Sequence, residues 1–251
     1  MRRSWSRDDP AEVGLPCVCW CGHPYFRDRG YIAQVIRARV PRPKPRLRGV
    51  LHEWAFYVSV PLGVTIGLVA DTSTAKVAAA VFAAGVVCMF GVSALYHLPT
   101  WPPGRRRFLR RLDHAAIFLL IAGTYTPLCL QLGPTRGLGL LTFVWTGAVF
   151  GIAQAVMYPE APKYVGITIY LALGWAVFPL VGTVRATVGG DGLLLLAAGG
   201  IAYSAGAVIY WLRRPDPFPA VFGYHEIFHL LVIAAAGSHF AVILPVVRGL
   251  R

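Results

Sequence analysis

The residues best placed to do chemistry in this chain are His225 and His229, four apart in Tyr224-His225-Glu226-Ile227-Phe228-His229 at the opening of the last apolar stretch. On a helix, positions i and i+4 differ by about 40° in rotation and about 6 Å in rise, so both imidazoles point the same way. Two imidazoles so placed could share one metal ion, and a third ligand at the same depth would complete a site. The alternative is a pair of packed core histidines bonded to backbone carbonyls. Ionisable side chains inside a membrane helix are costly, which favours the functional reading. Three neutral imidazoles suit Zn²⁺ and leave a fourth position open, the pattern of a catalytic rather than a structural site. Zinc would lower the pKa of water at that position to about 7.

The composition places these histidines in a membrane. Of 251 residues, 56% are hydrophobic and only 14% charged, and the mean hydropathy is +0.58. Soluble domains carry about a quarter charged residues. Stretches long enough to cross a bilayer fall near His52–Ala70, Lys76–His97, Leu112–Leu132, Gly137–Met157, Lys163–Thr183, Asp191–Leu212 and Phe222–Val247. Breakers separate them, among them Pro99 to Gly104, Gly133-Pro134 and Gly189-Gly190. The expected fold is all-α, an integral bundle of seven transmembrane helices over residues 49–251 in a multi-pass cell-membrane protein. Residues 1–48 read as a basic cytoplasmic extension, poorly ordered, with a proline-rich tether from Pro41 to Arg46. Within it Cys17, Cys19, Cys21 and His23 could bind a metal. Their spacing is not C-x-x-C, however, and no second ligand pair follows, so a reduced, unstructured extension is the competing reading.

The net charge of +13 does not point to nucleic acid. The basic residues sit between the apolar segments, where they set topology and attract anionic lipid. Membrane lipids are the expected partners. One side of the membrane receives the N-terminal region, Arg105, Arg106, Arg107, Arg110, Arg111, Lys163, Arg213 and Arg214; the other receives only Lys76, Arg136, Arg185, Arg248 and Arg251. The N-terminus is therefore expected inside and the C-terminus outside.

That orientation brings three separate stretches to one depth at the inner face. The second span ends there with Ser93 and His97, the third begins there with Asp113 and His114, and the seventh begins there with His225 and His229. His97, His225 and His229 form a candidate zinc triad. Asp113 is placed to hold or deprotonate a water, or else to cap the start of its helix. Ser93, one turn before His97, could donate to that water or to a developing oxyanion, or else bond back to its own helix. His114 lies about 100° round its helix from Asp113, which suits a supporting or interhelical bond better than ligation. His239, ten residues beyond His229, is too far along to share the ion and suits a structural hydrogen bond. His52 and Glu53 occupy the correct layer to support the site, although interfacial anchoring is simpler. Glu226 should be solvated or act as a cap.

Taken together, Ser93-x-x-x-His97, Leu112-Asp113-His114, Ile121 to Pro127 and Phe222 to His229 resemble the hemolysin III family. This is the bacterial branch of the progestin and adipoQ receptor family, in a wider group that includes the alkaline ceramidases. The resemblance runs from Leu51 to Leu244 and does not reach the Cys-rich extension. It implies a seven-helix bundle with an intracellular N-terminus and a zinc near the cytoplasmic side. The family's zinc histidines fall on His97, His225 and His229, and its Ser and Asp on Ser93 and Asp113.

Three classes of function follow. A zinc-dependent hydrolase of a lipid amide or ester would need an open metal position and lipid access to it. A lipid-sensing receptor or regulator would use the zinc only to hold helices together, without turnover. A pore-forming cytolysin is disfavoured, because the spans are too apolar to line an aqueous lumen. Substrate and oligomeric state are not encoded legibly.

Overall fold

The computed structural model describes residues 44–250; the Cys17, Cys19, Cys21 and His23 cluster lies outside them. Among the described residues the regular elements are helices: α1 (Val50–Leu68), α2 (Ser73–His97), α3 (Pro103–Gln131), α4 (Gly137–Met157), α5 (Lys163–Gly174), α6 (Val181–Leu212) and α7 (Tyr224–Gly249). No strand forms among them, and Phe218 and Phe222 make only an isolated bridge. Five stretches are long and apolar enough to cross a membrane: α2, α3, α4, Lys163–Leu212 and α7. The expected spans Lys163–Thr183 and Asp191–Leu212 both fall within the fourth of these. It is interrupted by a short 3₁₀ turn at Phe178–Leu180 and by Gly189, whose φ of 77° and ψ of 177° are non-helical. That conformation is essentially confined to glycine, so the chain can reverse there. α1 coincides with the expected His52–Ala70 stretch.

The third helix departs from expectation. It begins at Pro103, not near Leu112, so Arg105 to Arg111 lie on its first turns instead of in a loop. Proline at the first helical position has no N–H to leave unsatisfied and a φ suited to the helix. The basic residues at 105–107 then stay exposed.

Packing centres on α2, which lies between α1 and α3, while α7 packs along α6 and touches α1, α2 and α3. The α2–α3 contact is close. A Cβ on Gly85 would come within 2.8 Å of the Leu119 carbonyl oxygen, the small-residue approach that lipid-embedded helices use. Ala75, Ala78, Ala79 and Phe82 of α2 meet Ile243 and Val247 of α7 in one core cluster. On α3, the Tyr125 hydroxyl donates to the Gly174 carbonyl at 2.8 Å and accepts from the Val177 N–H at 3.2 Å. It thereby satisfies backbone groups freed where α5 ends. Large apolar side chains face outward, including Trp54, Phe143, Phe150, Leu194 and Trp211. Water would not favour that surface, and hydrocarbon does.

Candidate metal centre

Two helix ends supply the three histidines. His97 is the last residue of α2, and His225 and His229 occupy the first two turns of α7. One nitrogen from each of the three rings lies within 4.8 Å of the other two, so together they could hold a metal ion. The Nε2 atoms of His97 and His225 are 3.2 Å apart, close to the roughly 3.3 Å between two ligands 2.0–2.1 Å from a tetrahedral centre. The rings are mutually inclined, at 73° for His97 and His225, 61° for His97 and His229, and 58° for His225 and His229. Inclined rings let lone pairs converge on a point, so the donor set fits zinc or another imidazole-binding transition metal.

Asp113 stands in the third turn of α3, well past the helix start at Pro103, so it does not cap that helix. Its Oδ2 is 3.8 Å from His97 Nε2, with side chains 16% and 10% exposed respectively. At that separation the carboxylate flanks the histidines without a direct hydrogen bond. Ser93 is buried in α2, and its hydroxyl reaches across to His52 Nδ1 on α1 at 2.8 Å, with Asp113 close by. His114 turns away and places Nδ1 2.7 Å from the Arg110 carbonyl of its own helix. His239 bonds the Leu196 carbonyl on α6 at 3.2 Å. Both histidines thus stand outside the cluster.

His52 is more involved than an interfacial anchor would be. It is 2% exposed, and its ring lies face to face with His229, with centroids 3.7 Å apart and planes within 4°. Glu53, by contrast, accepts from the Tyr57 hydroxyl at 3.3 Å on the exposed side of α1.

The residues before α1 lie across the same end of the bundle. Lys44 Nζ donates to the Leu98 carbonyl at 2.6 Å, and partial burial beside Arg48 and Arg106 lowers its pKa. The N–H groups of Arg46 and Leu47 donate to the Ala220 and Val221 carbonyls at 3.0 and 3.2 Å. Gly49 has φ +89°, and a Cβ there would meet His97 Cβ at 2.8 Å. Both its conformation and its space therefore require glycine.

Glu226 is 1% exposed, not solvated. One carboxylate oxygen accepts from the Gly223 N–H at 2.8 Å, capping α7; the other pairs with Arg48 Nε at 2.5 Å. Sequence spacing could not reveal this pair, because its members are 178 positions apart. Breaking a buried pair from one side costs about 3–5 kcal/mol, since a charge is left without a partner. Arg48→Ala should therefore lower the thermal transition in detergent far more than Arg46→Ala, whose side chain is exposed. Equal transitions for the two variants would show that the pair carries no such stability.

The chain matches known proteins over most of this region. The profile of a family described as "Haemolysin-III related" matches residues 41–240. "Hemolysin-3" of Bacillus cereus is 34% identical over 174 residues, covering 69% of this chain and 76% of that protein. "Hemolysin-3 homolog" of Bacillus subtilis (strain 168) is 33% identical over 165 residues, covering 65% and 74%. The human "Monocyte to macrophage differentiation factor" is 30% identical over 182 residues, covering 69% and 71%.

Proposed function

The chain belongs to the haemolysin-III-related family of multi-pass membrane proteins, and on that premise we propose that it is a membrane-embedded zinc hydrolase of a lipid amide or ester. The observation that carries this reading is the convergence of His97, His225 and His229 beside the Asp113 carboxylate. The three imidazoles would hold the metal, and zinc when bound supplies Lewis acidity and acidifies water. Asp113 is the group that accepts a proton from an attacking water and returns it to the leaving amine or alcohol. Ser93, whose hydroxyl meets His52 Nδ1 at 2.8 Å, stands near that carboxylate. A ceramide-like amide is the substrate class to try first, in keeping with the resemblance to alkaline ceramidases. Release of fatty acid from a panel of sphingolipids and phospholipids, followed by mass spectrometry with and without chelator, tests the reading; the expected result is developed with the Asp113 variants in the Discussion.

A second reading has its own support. The three histidines join the end of α2 to the start of α7, as a structural staple would, so a lipid-sensing regulator with a non-catalytic zinc fits the same geometry.

The proposed topology has seven spans. Five of them are α1 to α4 and α7. The other two lie in Lys163–Leu212, divided at the Gly189 break. The N-terminus is placed in the cytoplasm, because the Arg-rich start of α3 and the basic residues Lys44 to Arg48 share the end that carries the histidines. Since Arg105 to Arg111 are helical, the reporter belongs in the connection at 98–102. A reporter there should remain inside, and one fused after Arg251 should be exported. Both reporters on one side would sink the seven-span topology.

A further inference from the structure

A groove opens on the outer face of the bundle between α1, α2 and α7. It runs from Leu51 to Gly63 on α1 and from Leu230 to Phe240 on α7, with a volume of about 390 Å³. Ala55, Gly63, Ala83 and Gly237 bring little or no side chain to its floor, and Trp54, which is largely exposed, forms part of its rim. The only hydroxyl in its wall, that of Ser59, already donates to the Phe56 carbonyl at 2.8 Å. The wall therefore offers an occupant mainly apolar contact. Both α2 and α7 are long and apolar enough to cross a membrane, so the groove lies at hydrocarbon depth, where no water is present to fill it.

We propose that this groove holds one acyl chain of an anionic phospholipid whose headgroup lies at Lys44 and Arg46. The proportions of the groove decide against a helix. From Leu51 to Gly63 the rise is about 18 Å, so its 390 Å³ corresponds to a mean section of about 20 Å². A helix with its side chains is about 10–12 Å across and fills about 80–110 Å². One extended hydrocarbon chain fits; a helix from a second copy does not. Charge then selects the headgroup. The groove begins at Leu51, at the end of the bundle where Lys44 and Arg46 stay exposed. The N–H groups of Arg46 and Leu47 bond the Ala220 and Val221 carbonyls, which holds this basic segment between the start of α1 and the connection into α7. Of the carboxylates at that end, Glu226 is paired with Arg48 and Glu53 accepts from Tyr57. Basic side chains placed at the membrane surface in this way attract anionic lipid. None of His97, His225 and His229 lines the groove, so this lipid site is separate from the metal centre and does not depend on it.

Photo-crosslinking in vesicles tests the site. The full chain is reconstituted in phosphatidylcholine with a trace of phosphatidylglycerol carrying a diazirine in one acyl chain, or in a parallel arm with the same label on phosphatidylcholine. Peptide mass spectrometry then locates the adducts. They should concentrate on residues 51–63 and 230–240, with phosphatidylglycerol favoured. Lys44→Gln and Arg46→Gln should each lower labelling by phosphatidylglycerol about fivefold, the effect of one basic residue near an anionic surface. Gly237→Phe places a ring in the groove without a backbone clash, since a Cβ there meets nothing within 4 Å. Groove adducts should then fall by at least about fivefold, the low end of what overfilling a site costs. Gly237→Leu should fall less, and Val64→Phe, exposed on α1 but outside the groove, should label like the parent. Thermal transitions in detergent identify the variants that fold. Adducts spread evenly over the outward faces of α1 and α4, equal labelling by the two lipids, or parental labelling in folded Gly237→Phe or Gly237→Leu would overturn the proposal. So would a dimer that Gly237→Phe dissociates and whose parent gives no groove adducts, since a second copy would then cover the groove.

Discussion

Asp113→Asn is expected to keep its zinc and to lose turnover of a ceramide-like amide by about 10²- to 10⁴-fold, the usual contribution of a positioned general base. The carboxylate lies 3.8 Å from His97 Nε2 and is not one of the three groups whose nitrogens converge, so its charge can be removed without dismantling the donor set. Asn keeps the size and one acceptor oxygen but cannot take up a proton, which makes it the sharper variant; Asp113→Ala should behave alike in metal content. Ser93→Ala should cost less, about 10- to 10³-fold, because a single hydroxyl offered to the water or to a developing oxyanion falls short of a full oxyanion donor. Purified protein, a lipid panel and mass spectrometry of released fatty acid give the readout. If the parent releases no fatty acid above its chelated control, the hydrolase reading gives way to the regulator.

Loss of metal from the His225→Ala, His229→Ala double variant is the second large effect. Those two residues supply two of the three donors and hold them on adjacent turns of α7, leaving His97 alone on α2. The parent should carry about one zinc per chain through detergent purification, and the double variant should carry none. Metal bound only to the folded chain stabilises it through mass action, by about 4 kcal/mol at a thousand times the dissociation constant. Chelation should therefore lower the thermal transition of the parent and leave that of the double variant where it is. His97→Ala should lose the metal as well, since it removes the only tie from α2. Unchanged zinc in the double variant would place the metal elsewhere.

The features readable from sequence are those that depend on composition and on spacing within one helix. Hydropathy alone placed the apolar helices, because burial in lipid demands long unbroken runs of apolar residues. The i, i+4 spacing of His225 and His229 put both on one face, because helix geometry is local. Charge bias and alternation of the spans led to the expectation that His97 and Asp113 share one end of the bundle with the α7 histidines, and the fold brings these side chains together. Other features required the folded chain. Arg105 to Arg111 were read as a loop because charge looks like a loop in a membrane protein, yet Pro103 starts a helix through them. The burial of Glu226 depended on Arg48 arriving from across the chain. The stacking of His52 on His229 and its bond to Ser93 depended on how α1 rotates against α2 and α7. Rotation about a helix axis is set by packing, not by periodicity, when every face is apolar: an all-round hydrophobic helix has no preferred side until its neighbours choose one.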